Sequence, residues 1–125
     1  MRDIDFIALM YSKNRWVRGQ YVEHLGKPYI ERKERKGREL IRRNTLCEFT
    51  GFVTSDGKRI YENCILRFNN KWIQEWEVIF KDGCFMLKSK TTVPEFHTFS
   101  EWKETILNDA MVWGNIFEVE LKECE

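Results

Sequence analysis

Apolar and polar residues alternate most clearly on the two sides of a short polar segment near the middle of the chain. This segment is Ser55-Asp56-Gly57, and an Asp-Gly pair favours a hairpin turn because both residues tolerate positive φ at little steric cost. We therefore expect residues 54–58 to form a turn between two strands. Beyond the turn, Glu62-Asn63 interrupts the alternation, which predicts a bulge or bend in the second strand.

Two further hairpins are predicted from the same kind of pattern. Apolar residues alternate over residues 4–10, and Trp16-Val17 follows a polar stretch as the returning arm of an N-terminal hairpin. Residues 72–80 again carry apolar side chains at most alternate positions, and Lys81-Asp82-Gly83 is a turn-forming cluster. Residues 84–88 are expected to pair back antiparallel to this strand.

One segment has the pattern of a helix. Thr98 and Glu101 have the spacing of a capping box, in which each side chain satisfies an unpaired backbone N–H group. Trp102 and Ile106 then recur at helical spacing. The pattern predicts a helix over about 98–109 that covers the sheet.

These elements predict a mainly β protein with a curled antiparallel sheet or small barrel, one covering helix and an N-terminal β-hairpin extension. A chain of 125 residues is within the usual range for one domain, so 1–125 is expected to be a single domain. Residues 1–45 would contain the hairpin and a basic arm, and 46–125 the β core with its helix. The sequence has no apolar run long enough for a membrane span and no signal peptide pattern, which predicts a cytoplasmic protein without membrane contacts.

The segment around the central turn resembles the signature of the YopX-like proteins of bacteriophages, prophages and their bacterial hosts. The resemblance rests on Thr50-Gly51, Asp56-Gly57-Lys58 and Ile60-Tyr61-Glu62. The N-terminal strand over residues 1–8 and the late Gly114-Asn115-Ile116-Phe117 segment agree with it in order and position.

The resemblance implies an SH3-like barrel element within the β core of residues 46–125 and a setting in a mobile genetic element. It implies no catalytic residues. Relatives usually carry Gly-Asp where this chain has Asn63-Cys64. A role that depends on the carboxylate of that Asp is therefore not expected in this chain.

The cysteines and histidines offer little for metal or covalent chemistry. Four cysteines are far apart in sequence and no Cys-x-x-Cys pair occurs, so neither a metal site nor a cofactor is predicted. Cys47, Cys64 and Cys84 are expected to be reduced strand residues, and Cys124 to be exposed. The alternative of a thiol nucleophile, Cys64 or Cys84 with His97 as base, has the right residue types but no supporting pattern.

Positive charge is concentrated in one segment, Lys27 to Arg43. It contains eight basic and three acidic residues, a net charge of +5, so the rest of the chain carries −4. One interpretation is a phosphate-binding arm whose affinity for nucleic acid falls with salt, and the other is a solvated loop whose Glu side chains form local ion pairs. The candidate nucleic-acid-binding residues are Arg32, Lys33, Arg35, Lys36, Arg38, Arg42 and Arg43.

Aromatic residues near this arm leave the same two interpretations open. Two environments suit Trp16, Tyr21, Tyr29 and Trp72. They could form a platform on which unpaired bases stack, as in SH3-like and oligonucleotide-binding barrels, or they could be buried in the core. For Trp76 and Trp113, burial in a core or an interface is expected.

The sequence therefore supports three classes of function, in decreasing order. The first is a non-catalytic module that assembles with itself or binds a phage or host protein through an exposed sheet edge. The second is an accessory nucleic-acid-binding protein that uses residues 27–43. The third is an enzyme, for which no motif is present.

Overall fold

The computed structural model describes residues 5–32, 37–68, 75–91 and 93–117, and in this part of the chain the fold is mainly β, as predicted. The described residues form two compact units, one ending at Phe49 and the other beginning at Thr50. The boundary between the units lies inside a strand, four residues beyond the division at 45/46 that the sequence suggested.

The first unit contains four strands and the beginning of a fifth. They are β1 Phe6–Leu9, β2 Trp16–His24, β3 Lys27–Arg32, β4 Arg38–Leu40 and β5 Cys47–Val53, with a single 3-10 turn at Arg43–Thr45. The strand order is β4-β3-β2-β1-β5, and each pair is antiparallel. The predicted N-terminal hairpin is therefore confirmed, and it continues into two more strands where the sequence suggested a charged arm.

The hairpin between β2 and β3 depends on a turn without an Asp-Gly or Asn-Gly signature. Leu25 and Gly26 have φ values of 51° and 75°, so both lie in the left-handed region that a two-residue hairpin turn requires. Leu25 is 88% exposed, so burial does not explain its identity. A β-hairpin occurs here because the flanking strands pair over six residue pairs, Gly19–Arg32 to His24–Lys27.

The sheet of the first unit curls until the ends of β4 and β1 meet. Ile41, just after β4, forms a bridge with Met10, just after β1. Two backbone hydrogen bonds secure this junction, from the Tyr11 N–H to the Leu40 carbonyl at 2.8 Å and from the Arg42 N–H to the Leu9 carbonyl at 3.0 Å. The curl encloses a small core of Ala8, Met10, Val17, Ile30 and Ile41.

The second unit contains the rest of β5, six further strands and one short helix. They are β6 Arg59–Tyr61, β7 Cys64–Phe68, β8 Trp76–Lys81, β9 Cys84–Ser89, β10 Phe96–Thr98, α1 Lys103–Asp109 and β11 Ala110–Asn115. β6 follows β5 in the first sheet, and the remaining strands form a second antiparallel sheet in the order β10-β9-β8-β7-β11. The predicted turns at 54–58 and 81–83 both occur, and β9 pairs antiparallel with β8 as expected.

Two details of the prediction are wrong. Glu62-Asn63 is a tight turn and not a bulge in one strand: Asn63 has a φ of 71°, and the chain passes there from β6 in one sheet to β7 in the other. The helix begins at Lys103 and not near residue 98, because Thr98 still belongs to β10. Only half of the capping box forms, since Thr98 Oγ1 accepts a hydrogen bond from the Glu101 N–H at 3.1 Å while the Glu101 carboxylate contacts His97.

Candidate interaction surfaces

Tyr21, Glu23 and Arg43 form a connected polar cluster in the first unit. The Tyr21 hydroxyl donates a hydrogen bond to Glu23 Oε1 at 2.8 Å. Arg43 forms an ion pair with Glu23, and its guanidinium also donates to the Tyr21 hydroxyl at 3.0 Å and to the Gly26 carbonyl at 3.2 Å. The 3-10 turn that carries Arg43 is thereby tied to the β2–β3 hairpin.

The contacts in this cluster change the proton affinity of all three groups. The hydrogen bond from Arg43 lowers the pKa of the Glu23 carboxyl below its usual range, and the Tyr21 hydroxyl lowers it further. Desolvation raises the pKa of Tyr21, as does its hydrogen bond to Glu23. The pKa of Arg43 is raised in turn, chiefly because it donates to the Glu23 carboxylate. The lowered pKa of Glu23 and the raised pKa of Arg43 both favour a charged Arg43–Glu23 pair at neutral pH, and the raised pKa of Tyr21 keeps its hydroxyl protonated as a donor to Glu23.

The other described arginines of the candidate arm also have polar partners. Arg32 pairs with Glu39 across β3 and β4. Arg38 lies 3.9 Å from Glu31, and Arg42 donates a hydrogen bond to Asn14 Oδ1 at 3.0 Å. Lys33, Arg35 and Lys36 lie outside the described residues. Of the Glu residues in this segment, Glu31 and Glu39 are described, and both form the local pairs that one interpretation of the arm predicted, on strands rather than on a loop.

The aromatic residues proposed as a base-stacking platform have different environments. Trp16 is 3% exposed and belongs to the core, so its face is closed to a ligand. Tyr21 and Tyr29 are half-buried, and the Tyr21 ring packs at 6.3 Å from that of Phe6. Trp72 lies outside the described residues. Of the three candidates that the structure describes, the two tyrosines therefore lie near the surface of the β2–β3 hairpin and Trp16 does not.

In the second unit, one face of the five-stranded sheet carries exposed apolar side chains; we call it the outer face. Register pairing places Arg67 opposite Met111, and the Arg67 guanidinium carbon lies 3.6 Å from the centre of the Trp113 ring. Met111 and Trp113 are therefore on the same face, and they are 38% and 55% exposed. Sequence analysis predicted burial of Trp113 in a core or an interface, and it is not in the core of this chain.

Arg67, which covers the Trp113 ring, belongs to a group of three charged side chains that are bound to each other. Arg67 donates two hydrogen bonds to Glu75 Oε2, at 2.7 and 3.1 Å, and Lys90 Nζ lies 3.8 Å from the other oxygen of the same carboxylate. Arg67 thus neutralises Glu75 and covers one side of the Trp113 ring. Since Arg67, Glu75 and Lys90 are already paired with one another, we expect the free energy of binding beside Trp113 to come mainly from apolar contact.

The opposite, inner face of the same sheet is filled by aromatic rings. Trp76, 4% exposed as predicted for a core residue, packs at 5.0 Å from Trp102 and 5.5 Å from His97, measured between ring centres. Phe68 meets the Trp102 ring at 5.5 Å. Trp102 precedes α1, so this stacking fixes the helix against the sheet.

The cysteines are not assembled with the histidine. Cys47, Cys64 and Cys84 lie in strands, the first two buried, and none of these three is in a disulfide within the described residues; Cys124 is outside the described residues. Burial raises the pKa of the Cys64 thiol to about 11, so it is protonated at neutral pH. β8 and β9 separate β7 from β10, which places Cys64 about 14 Å from His97 at the usual strand spacing.

Cys84 is also remote from His97 along the sheet. The register partner of His97 is Leu87, three residues beyond Cys84, which corresponds to about 10 Å at the usual rise of a strand. Within the described ranges, no group of three or more His, Cys, Asp or Glu side chains could hold a metal ion. Nor does the described chain contain a helix of the length and apolar character that crossing a membrane requires.

Comparison with known proteins gives one result that covers most of the chain. Residues 8–120 match the family model described as YopX protein. No curated protein matches the chain.

Proposed function

This chain belongs to the YopX protein family, and on that premise we propose that it is a non-catalytic interaction module that assembles with itself or binds a phage or host protein. The observation that carries the proposal is the outer face of the second sheet. Met111 and Trp113 expose apolar surface there, while the neighbouring charges of Arg67 and Glu75 are already paired. Exposed apolar surface beside an edge strand is typical of protein contact sites.

The state of the arginines in the arm supports the same conclusion. Binding to phosphate would require Arg32 and Arg43 to give up the carboxylates of Glu39 and Glu23. The free energy of each broken ion pair would have to be regained from the nucleic acid. The arm therefore contributes less to nucleic-acid binding than its net charge of +5 suggests.

An accessory nucleic-acid-binding protein is the second candidate, because part of the positive charge does remain at the surface. The side chains of Arg38 and Arg43 are 44% and 52% exposed despite their ion pairs. Lys33, Arg35 and Lys36 follow β3 in the sequence. A protein that neutralises phosphates binds with an affinity that falls steeply with salt.

Retention on DNA and RNA at increasing salt separates the two candidates. Arg35, Lys36 and Arg42 are changed together to Gln; the matched control changes Lys13, Arg15 and Lys58, three exposed basic residues outside the arm. The interaction module predicts weak retention at low salt and equal salt slopes for both variants. Strong retention whose slope falls only in the arm variant, by about 0.7 to 0.9 for each phosphate that is no longer neutralised, would favour the second candidate.

The proposal for the first candidate has its own direct test. Measurement of the molar mass of the purified protein in solution is combined with capture of binding proteins from phage and host extracts. The module predicts a mass above that of the monomer or the specific retention of a protein. A strictly monomeric protein that retains nothing would contradict it.

We place the SH3-like element implied by the family resemblance in the first unit rather than in residues 46–125. The support is the order of its parts: five antiparallel strands in the order β4-β3-β2-β1-β5, a curl that joins β4 to β1 at Ile41 and Met10, and a 3-10 turn between β4 and β5. SH3-like barrels usually act as binding domains, which is consistent with an interaction module. A phage or prophage origin and a location in the bacterial cytoplasm belong to the same proposal; the origin and the bacterial host rest on the resemblance, and the location rests on the pattern of the sequence.

A further inference from the structure

The two edges of the second sheet differ in how they are protected. Natural proteins protect edge strands with charges, proline or short length, because an exposed edge pairs readily with another strand. The β10 edge has three residues and is preceded by Pro94 and Glu95. The β11 edge, Ala110–Asn115, has six residues and contains neither a charge nor a proline; its one protective feature among these residues is the register shift between Val112 and Gly114. Within the described part of the chain, β11 pairs only with β7.

The side chains of β11 are complementary to a second β11 strand. Met111 and Trp113 point to the outer face, and Val112 points to the inner face, opposite Leu66, which is fully buried. If two such strands pair antiparallel about Val112, Met111 of each copy lies opposite Trp113 of the other. A thioether against an aromatic ring is a favourable contact, and it would form twice.

We propose that β11 is a self-association edge, which pairs antiparallel with β11 of a second copy of this chain and joins the two five-stranded sheets into one. The proposal rests on the interaction module proposed above and names its partner. Each face stays continuous across the junction, because Val112 meets Val112 on the inner face while Met111 meets Trp113 on the outer face. No pair of like charges arises, since β11 carries no charge.

The size of the contact predicts reversible association. A contact made by six residues of each copy, two of them with large side chains, buries less surface than the about 1,200 Å² that stable interfaces bury. The register shift between Val112 and Gly114 also increases the local twist of the strand. We therefore expect a monomer–dimer equilibrium that is visible over protein concentrations of about 10 to 500 μM.

Charge substitution at the two outward residues tests the pairing. One variant carries Met111→Glu and Trp113→Glu, and the other Met111→Lys and Trp113→Lys. In a dimer of either variant, like charges face each other across the junction, which is destabilising, so each variant alone should sediment as a monomer with a dissociation constant raised about tenfold or more. Mixing the two should restore a dimer that contains one copy of each. A monomeric wild type at all concentrations, or variants that associate as the wild type does, would overturn the proposal.

Phe96→Glu is the matched control. Phe96 is 39% exposed, like Met111, and as the register partner of Lys88 it lies on the outer face of the opposite edge. This variant should dimerise like the wild type, and loss of its association would show that β11 is not the contact.

Hydrogen exchange of the wild type covers the case in which the charged variants unfold. Amide protection should rise with protein concentration in β11 and stay constant in β10; equal protection of β11 at both concentrations would overturn the pairing. A wild type that stays monomeric yet retains a protein from extract refutes self-pairing and leaves the interaction module standing. A monomer that retains nothing refutes both.

Discussion

At the scale of single residues, Cys64 shows how burial determines chemistry. Its side chain is 1% exposed on β7, and desolvation raises the pKa of its thiol from 9.0 to about 11. A thiol of this kind is a small apolar side chain at neutral pH. In the unfolded chain the same thiol ionises near pH 9, so the stabilisation that it gives the native state is complete below that pH and is lost as the pH rises toward 11.

Replacement of Cys64 isolates this effect. We expect the free energy of unfolding of the wild type to fall, relative to that of Cys64→Ala, by about 1.4 kcal/mol for each pH unit between about 9 and about 11. Urea denaturation of both proteins at about pH 7, 9 and 10.5 measures the difference, and other titrating groups cancel between them. A difference that stays constant with pH would show that Cys64 is not desolvated in solution.

The Tyr21–Glu23–Arg43 cluster gives a second prediction for single residues. Because Arg43 is the main cause of the lowered pKa of Glu23, Arg43→Gln should bring that pKa back toward its ordinary value. Glu23→Gln should lower the raised pKa of Tyr21, which a spectrophotometric titration of the phenol detects. The Glu23 pKa is followed by NMR across the acidic range, and the cluster is contradicted if Arg43→Gln leaves that pKa unchanged.

At the scale of elements, the approach of β2 to β3 depends on one glycine. A Cβ atom built on Gly19 would lie 1.9 Å from the Glu31 carbonyl oxygen, which belongs to the backbone and has no freedom to rotate away. Gly114 on β11 has no atom within 4 Å of the same position. The close approach of β3 therefore requires glycine at position 19, whereas no such contact requires it at position 114.

Alanine at these two positions tests the close approach. Gly19→Ala should destabilise the protein by more than about 2 kcal/mol, because the strands must separate. Gly114→Ala is the control and should change stability by less than about 0.5 kcal/mol. Thermal or urea unfolding monitored by circular dichroism compares them, and equal stabilities would mean that β2 and β3 lie further apart than described.

The elements also show what sequence can predict here. The turns at Asp56-Gly57 and Asp82-Gly83 were predictable because their residues suit positive φ, whereas the Leu25-Gly26 turn was not, since Leu25 disfavours that conformation. The helix was placed five residues too early because Thr98 still pairs with Met86 in β10, and the Glu101 carboxylate contacts His97 instead of completing the capping box. His97 is only four residues before Glu101 in the sequence, but the capping-box pattern alone does not show which of the two contacts the carboxylate makes.

At the scale of the whole molecule, composition and charge say less about the binding surface than the pairing of side chains and strands in the fold does. The segment 27–43 has the charge of a nucleic-acid-binding arm, but its described arginines meet Glu23, Glu31, Glu39 and Asn14 after folding. The outer-face position of Trp113 follows from the register of β11 against β7, which a single sequence does not specify. The exposed apolar edge was therefore the part of the candidate site that sequence analysis could not locate.

The central claim is that binding resides in an apolar edge and not in the charge of the arm. The molar mass of the wild-type protein, determined by sedimentation as a function of concentration at about 0.1 and about 1 M NaCl, tests it most directly, because salt screens charge but not apolar contact. The account predicts dimerisation of similar strength at both salt concentrations. A protein that is monomeric throughout, or that associates only at the lower salt concentration, would contradict it.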